Sequence, residues 1–128
     1  MKTIIAGSRS CTRPSALAEA LLFCGWRPTL VISGMATGAD YLGVKWAEAN
    51  RVDIRRCPAN WNVHGASAGY KRNVLMAEQA EALIALWDGQ SKGTAHMITI
   101  ARERGLRVYV HAIDSPTYRR APFPDPTD

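Results

Sequence analysis

Apolar residues in this chain fall into short unbroken runs, separated by stretches in which they recur every three or four positions. Ile4-Ile5-Ala6, Leu30-Val31-Ile32 and Ala82–Trp87 are continuous. A run this short, with no polar alternation, predicts a strand buried on both faces. Val52–Cys57 and Arg107–His111 are more mixed but bounded in the same way, and the first is polar enough to suit a sheet edge. The intervening stretches read as helices. Pro14 suits a first helical turn, Leu17, Leu21 and Cys24 follow on one face, and Gly25 is placed to stop the helix. Leu42 and Trp46 mark a second helix that runs to about Ala49. Residues Tyr70–Glu81 are rich in Ala, Glu, Leu and Met, and Ala95–Arg104 carries Met97, Ile98 and Ala101 on one face.

Strands Lys2–Ala6, Thr29–Ser33, Val52–Cys57, Ala82–Trp87 and Arg107–His111 thus alternate with four helices. This alternation, with short links, predicts an α/β fold: a five-stranded parallel sheet covered on both faces. The expected form is a Rossmann-like three-layer sandwich with strand order 3-2-1-4-5. Its switch point lies between the first and fourth strands, and ligands of such sheets bind in the crevice at the carboxyl edge. The loops at 7–10, 34–40 and 88–94 all belong to that edge. Residues 59–69 show no period and are expected as a loop. After His111 the pattern dissolves among Pro116, Pro122, Pro124 and Pro126. The expected organisation is a domain over 1–111 and a disordered or surface-draped tail over 112–128.

Composition narrows the class. An apolar content of 47% in 128 residues suits one domain with a real core. No apolar run approaches the roughly 20 residues of a membrane-spanning helix, and Lys2 is not followed by the apolar region of a signal peptide. No membrane partner is expected. Cys11, Cys24 and Cys57 are odd in number and contain no C-x-x-C pair, which fits reduced thiols and a cytoplasmic protein. The net charge of +5 conceals an uneven split, since residues 1–111 hold 14 basic and 8 acidic side chains. Such a domain can attract a phosphorylated small molecule or a nucleic acid. The basic residues are scattered, with no run of five, which favours the small molecule.

The candidate chemistry sits on the three loops. Ser33-Gly34-Met35-Ala36-Thr37-Gly38-Ala39-Asp40 joins a strand to a helix through small residues, where unpaired N–H groups and the helix dipole favour an anion. It has neither the G-x-G-x-x-G pattern nor the lysine of a P-loop. Gly7, Ser8 and Arg9 offer a glycine turn, a hydroxyl and a guanidinium fork suited to phosphate; the alternative for Arg9 is an exposed loop side chain. Asp40 can stabilise the first helical turn or accept from a ribose hydroxyl. Asp88-Gly89 and Gly93-Thr94 bracket a polar loop, and Thr94 reads as an N-cap whose hydroxyl can bind phosphate instead. Arg72 and Asn73 stand early in the third helix, with Leu75 and Met76 expected to point away from them. Trp61 and Trp87 can stack a base, although Trp87 ends a buried strand. His64, His96 and His111 lack metal-ligand spacing, and neither a metal nor a cofactor is expected.

Taken together these residues resemble a known family. Ile4-Ile5-Ala6-Gly7-Ser8-Arg9, Ser33-Gly34-x-Ala36-x-Gly38-Ala39-Asp40, Arg72-Asn73-x-x-Met76-Ala77 and Ala82-Leu83-Ile84-Ala85-x-Trp87-Asp88-Gly89-x-Ser91-x-Gly93-Thr94 resemble the YspA-like, cpYpsA-related branch of the SLOG superfamily. The resemblance implies a Rossmann-like domain that binds a nucleotide or nucleotide-derived ligand as a sensor or carrier. Relatives include the cytokinin-activating phosphoribohydrolases and the DNA-processing protein DprA. It also implies a role for Arg72, whose place is similar to that of a phosphoribohydrolase arginine. Gly93-Thr94 matches the Gly-Thr of the motif Pro-Gly-Gly-x-Gly-Thr-x-Glu-Glu, but His96 and Met97 stand where its glutamates would be, and Asp88-Gly89 replaces its Pro-Gly. Two further readings follow: a nucleotide hydrolase using Arg72 with Asp40 or Asp88 as the acid, and a DprA-like nucleic-acid partner. Pairing into a homodimer is a further implication of the resemblance.

Overall fold

The computed structural model describes residues 1–113. Five parallel strands, β1 (Lys2–Gly7), β2 (Leu30–Ser33), β3 (Asp53–Arg56), β4 (Ala82–Trp87) and β5 (Arg107–Ala112), form one sheet in the order β3-β2-β1-β4-β5. Helices α1 (Pro14–Phe23), α2 (Ala39–Ala49), α3 (Trp61–His64), α4 (Ala68–Gln79) and α5 (Lys92–Glu103) connect them. The expected sandwich and strand order are the ones observed.

The sheet's two faces explain the unbroken apolar runs. Ile5, Val31, Ile84 and Leu86 pack with Leu17 and Ala20 of α1 and Leu42 and Ala47 of α2. Their immediate neighbours Ile4, Ile32, Leu83 and Ala85 turn the other way, onto Met76 and Ala77 of α4 and Met97, Ile98 and Ala101 of α5. Successive side chains of a strand point to opposite faces, so a strand covered on both sides has no polar position to spare. β4 shows this fully, with Ala82 through Leu86 all at 0% exposure. β3 is an edge strand, as its sequence suggests, and three of its four residues are exposed.

Three boundaries differ from expectation. The stretch at 59–69 is not plain loop: α3 and a short 3-10 turn, Gly65–Ser67, occupy it, and α4 begins at Ala68 rather than at residue 70. The Asn60 side chain starts α3 by accepting from the Val63 N–H at 3.2 Å. α5 begins at Lys92, so its N-cap position is Ser91 and not Thr94, which lies within the first turn. The cause is Asp88, whose Oδ1 accepts from the N–H groups of both Gln90 and Ser91 at 2.9 Å and reverses the chain early. The strand at the other end extends through Ala112, and Ile113 is buried with the α1–α2 layer. The tail expected over 112–128 otherwise lies outside the described residues.

Candidate functional site

Ser8 joins the three carboxyl-edge loops. Its N–H donates to Leu86 O at 2.9 Å at the end of β4, while its carbonyl accepts from Cys11 N and from Ala39 N, the first residue of α2. Its hydroxyl accepts from the Asp88 N–H at 3.0 Å. At 1% exposure that hydroxyl binds the fold rather than a ligand. Asp88 and Gly89 are likewise turn-makers: burial alone would raise the Asp88 carboxyl, but the Ser91 and Gln90 N–H groups and the Ser8 hydroxyl outweigh it and hold it below the ordinary range.

The Ser33–Asp40 turn is braced from within. The Ser33 hydroxyl accepts from Met35 N at 3.1 Å and donates to Asp40 O at 3.5 Å. Met35 takes a left-handed φ of 63°, uncommon for a side chain of its size. A Cβ on Gly34 would run into the end of the Arg72 guanidinium and lie 2.8 Å from Asp40 Oδ2, so only glycine leaves Arg72 where it is. Gly38, at φ +78°, lies against the carbonyls of Ser8 and Arg9, both 2.5 Å from where its Cβ would be. Ser33, Gly34, Gly38 and Ala39 are therefore buried supports of the site, and Thr37 is exposed on its outside.

A cleft of about 240 Å³ opens between this turn, the β1 loop, α4 and the start of α5. Gly7, Arg9, Ala36, Asp40, Arg72, Asn73, Gly93 and Thr94 line it, so half of the residues singled out in the sequence meet at one place. The Arg72 guanidinium donates to the Gly34 carbonyl through Nη1 and to Asn73 Oδ1 through Nε, the latter at 3.2 Å. That contact fixes the Asn73 amide, which turns Nδ2 toward Gly93 O at 3.2 Å and His96 Nδ1 at 3.1 Å. His96 Nδ1 is then an acceptor, and the ring proton of the neutral imidazole is on Nε2. Burial holds the His96 ring below its ordinary pKa, against the pull of Glu103.

Asp40 is the carboxylate of the cleft and is only 5% exposed. Its Oδ2 accepts from Ala36 N at 3.2 Å. Burial raises its pKa to about 6, and the Ala36 N–H, Arg72, Arg9 and the Gly7 N–H pull in the opposite direction. Asp40 therefore secures the turn and adds negative charge beside the two arginines.

Further lining residues come from the 59–69 stretch, which shows no period, and from α4 and α5. Trp61, Ala66, Gly69 and Tyr70 form one wall, with Met76, Ser91 and Met97 deeper in. Met76 lines the cleft with Arg72 and Asn73, contrary to expectation, because residues three and four apart share one face of a helix, while Leu75 points out to solvent. Trp87 does not line the cleft; its Nε1 donates to Ser91 O at 3.1 Å and its ring packs against the α4–α5 layer. Among the described residues no group of three or more His, Cys, Asp or Glu is placed to hold a metal, and no helix is long and apolar enough to cross a membrane.

Residues 1–64, half of the chain, match the family described as YAcAr: YspA, cpYpsA-related SLOG family. The chain belongs to this SLOG family. The Gene 61 protein of Mycobacterium phage D29 is 34% identical over 85 residues, which is 62% of this chain and 68% of that protein. In fold, the domain is similar to DNA processing protein A (DprA) from Streptococcus pneumoniae, with a TM-score of 0.66 over 85% of this chain at 18% identity. The match takes in 49% of that structure, so the SLOG chain spans about half its length. The family match covers the Gly7–Arg9 and Ser33–Asp40 loops and Trp61. Arg72, Asn73, Gly93 and Thr94 lie beyond it and share the cleft through the fold.

Proposed function

We propose that this SLOG domain binds a phosphate-bearing, nucleotide-class small molecule in the cleft at the carboxyl edge of β1 and β4. The observation that carries this reading is the convergence of Arg9, Arg72 and the first turn of α5 on one cleft. Two guanidinium forks suit phosphate oxygens. The first N–H groups of a helix have no partner within it and carry the positive end of its dipole. Gly93 and Thr94 supply such groups here.

Thermal unfolding with AMP, ADP-ribose, NAD or a cyclic dinucleotide tests it, since a ligand selective for the native state raises the melting temperature. An upward shift with at least one of the four is expected, and the matching unphosphorylated nucleoside should give a smaller one. Arg9→Ala should weaken the phosphorylated ligand by roughly 1.5–3 kcal/mol, about ten- to a hundredfold, without unfolding the protein, because Arg9 is exposed. If none of the four shifts the transition at millimolar concentration, the reading fails.

One observation favours a hydrolytic variant of this reading. Asp40 has a pKa of about 6 and lies near Arg72 in the cleft, so it exchanges a proton closer to neutral pH than an ordinary carboxylate, as suits a general acid. No carboxylate of α5 lines the cleft, since Met97 is there in place of a glutamate. Release of free base from nucleoside monophosphates, lost in Asp40→Asn, would support turnover; binding without release leaves a sensor or carrier.

A further inference from the structure

The cleft has two chemically different ends. Gly93, Thr94, Arg9 and Arg72 make a cationic and N–H-rich end, while Trp61 and Tyr70 stand together on the wall made by α3 and the start of α4. Large aromatics are usually covered in a folded protein, yet Trp61 is 52% exposed and Tyr70 45%. Neither is loose. Trp61 lies across Gly69, its Cη2 3.6 Å from where a Cβ on that glycine would be. Tyr70 meets the His96 ring edge-on, with centroids 4.5 Å apart and planes at 67°. His96 is in turn held by the same Asn73 that orients Arg72. One chain of contacts therefore links the guanidinium to Tyr70. Gly69 and Arg72 are three residues apart on α4, about 5 Å along its axis, so the aromatic wall and the guanidinium rise from adjacent turns of one helix.

We infer that Trp61 and Tyr70 form a stacking site for the heterocyclic base of the ligand, and that they set its preference for a nucleotide over a bare sugar phosphate. This rests on the phosphate reading above. Stacking on a preset aromatic surface is tolerant of base identity, because every base presents a π-face. The wall therefore selects for possession of a base more than for a particular one.

Direct binding to the full chain of ribose 5-phosphate and of AMP, GMP, CMP and UMP tests the inference. At least one nucleotide should bind the native protein tighter than ribose 5-phosphate. Trp61→Ala and Tyr70→Ala should each weaken that nucleotide by about five- to a hundredfold and leave ribose 5-phosphate within about twofold. Trp61→Phe and Tyr70→Phe should restore most of the loss, and unchanged melting curves for these exposed positions would confirm folding. If ribose 5-phosphate binds and no nucleotide binds more tightly, the stacking site is overturned while the phosphate reading stands. Equal loss of sugar phosphate and nucleotide in the alanine variants also overturns it, since the aromatics would then only shape the cleft. Binding of none of the five probes would overturn the stacking site, while the phosphate reading is decided by the four-ligand melts above.

Discussion

Asp40 shows why a residue's type can be legible in a sequence while its role is not. An acid in the first turn of a helix is ordinary, and its partners on the dipole or a ribose are equally plausible from spacing. The structure places it at 5% exposure in one cleft with two arginines from distant segments, which spacing cannot reveal. Ser8 is the converse: it reads as a phosphate ligand from its position, and the fold uses its hydroxyl on Asp88. Because Asp40 titrates near 6 in the folded protein, against an ordinary 3.8, the native state binds more protons than the unfolded chain between those values. Its contribution to stability is therefore fully present below about pH 3.8 and is lost as pH rises through 6. The shift corresponds to about 3 kcal/mol. Asp40→Asn, which keeps an acceptor for Ala36 N, should gain on the native protein by up to that amount between pH 4 and pH 7.5, as read from denaturant midpoints at each pH. A difference between the two proteins that stays flat with pH would remove the buried-carboxylate account.

At the scale of elements, the short unbroken apolar runs gave three strands away, Ala82–Trp87 most plainly, because a strand covered on both faces has no polar position. The helix starts were harder. α5 begins at Lys92 because Asp88 closes a tight turn around Gly89, and Thr94, read from the sequence as the cap, falls within the first turn with its hydroxyl 3.1 Å from that of Ser91. α3 is four residues long and too short for any period to show. The glycines of the β2–α2 turn separate structural from functional constraint. A Cβ on Gly38 meets backbone carbonyls of the β1 loop and requires a left-handed φ, so Gly38→Ala should lower stability by about 1–3 kcal/mol. A Cβ on Gly34 meets chiefly the end of a flexible side chain, Arg72. Gly34→Ala should therefore fold with a smaller loss but displace Arg72 from the Gly34 carbonyl and weaken phosphate-bearing ligands. Thermal melts paired with binding measurements distinguish the two, and equal stability losses with unchanged binding in Gly34→Ala would show that Arg72 is not placed by this turn.

For the molecule as a whole, strand order and layer count followed from connectivity, since alternating strands and helices with short links leave few parallel arrangements. The C-terminal boundary did not, because one apolar residue after a mixed strand has no period to announce it. Ile113 is 7% exposed among the α1–α2 core, and its N–H donates to Trp87 O at 3.0 Å, continuing the β4–β5 pairing by a residue. The lining of the cleft lies entirely between Ala6 and Met97. A chain ending after Ile113 should therefore keep a cooperative melt and the full ligand-induced shift. A chain ending after His111 loses the last pairing of β5 and a buried isoleucine, whose removal costs about 2–5 kcal/mol in comparable core sites. It should melt well below the longer truncation while retaining the same ligand selectivity when folded, since neither lost residue reaches the cleft. If the chain ending after Ile113 already aggregates or fails to respond to a nucleotide that stabilises the full chain, residues 114–128 contribute to the fold or to the site, and the domain boundary at Ile113 is wrong.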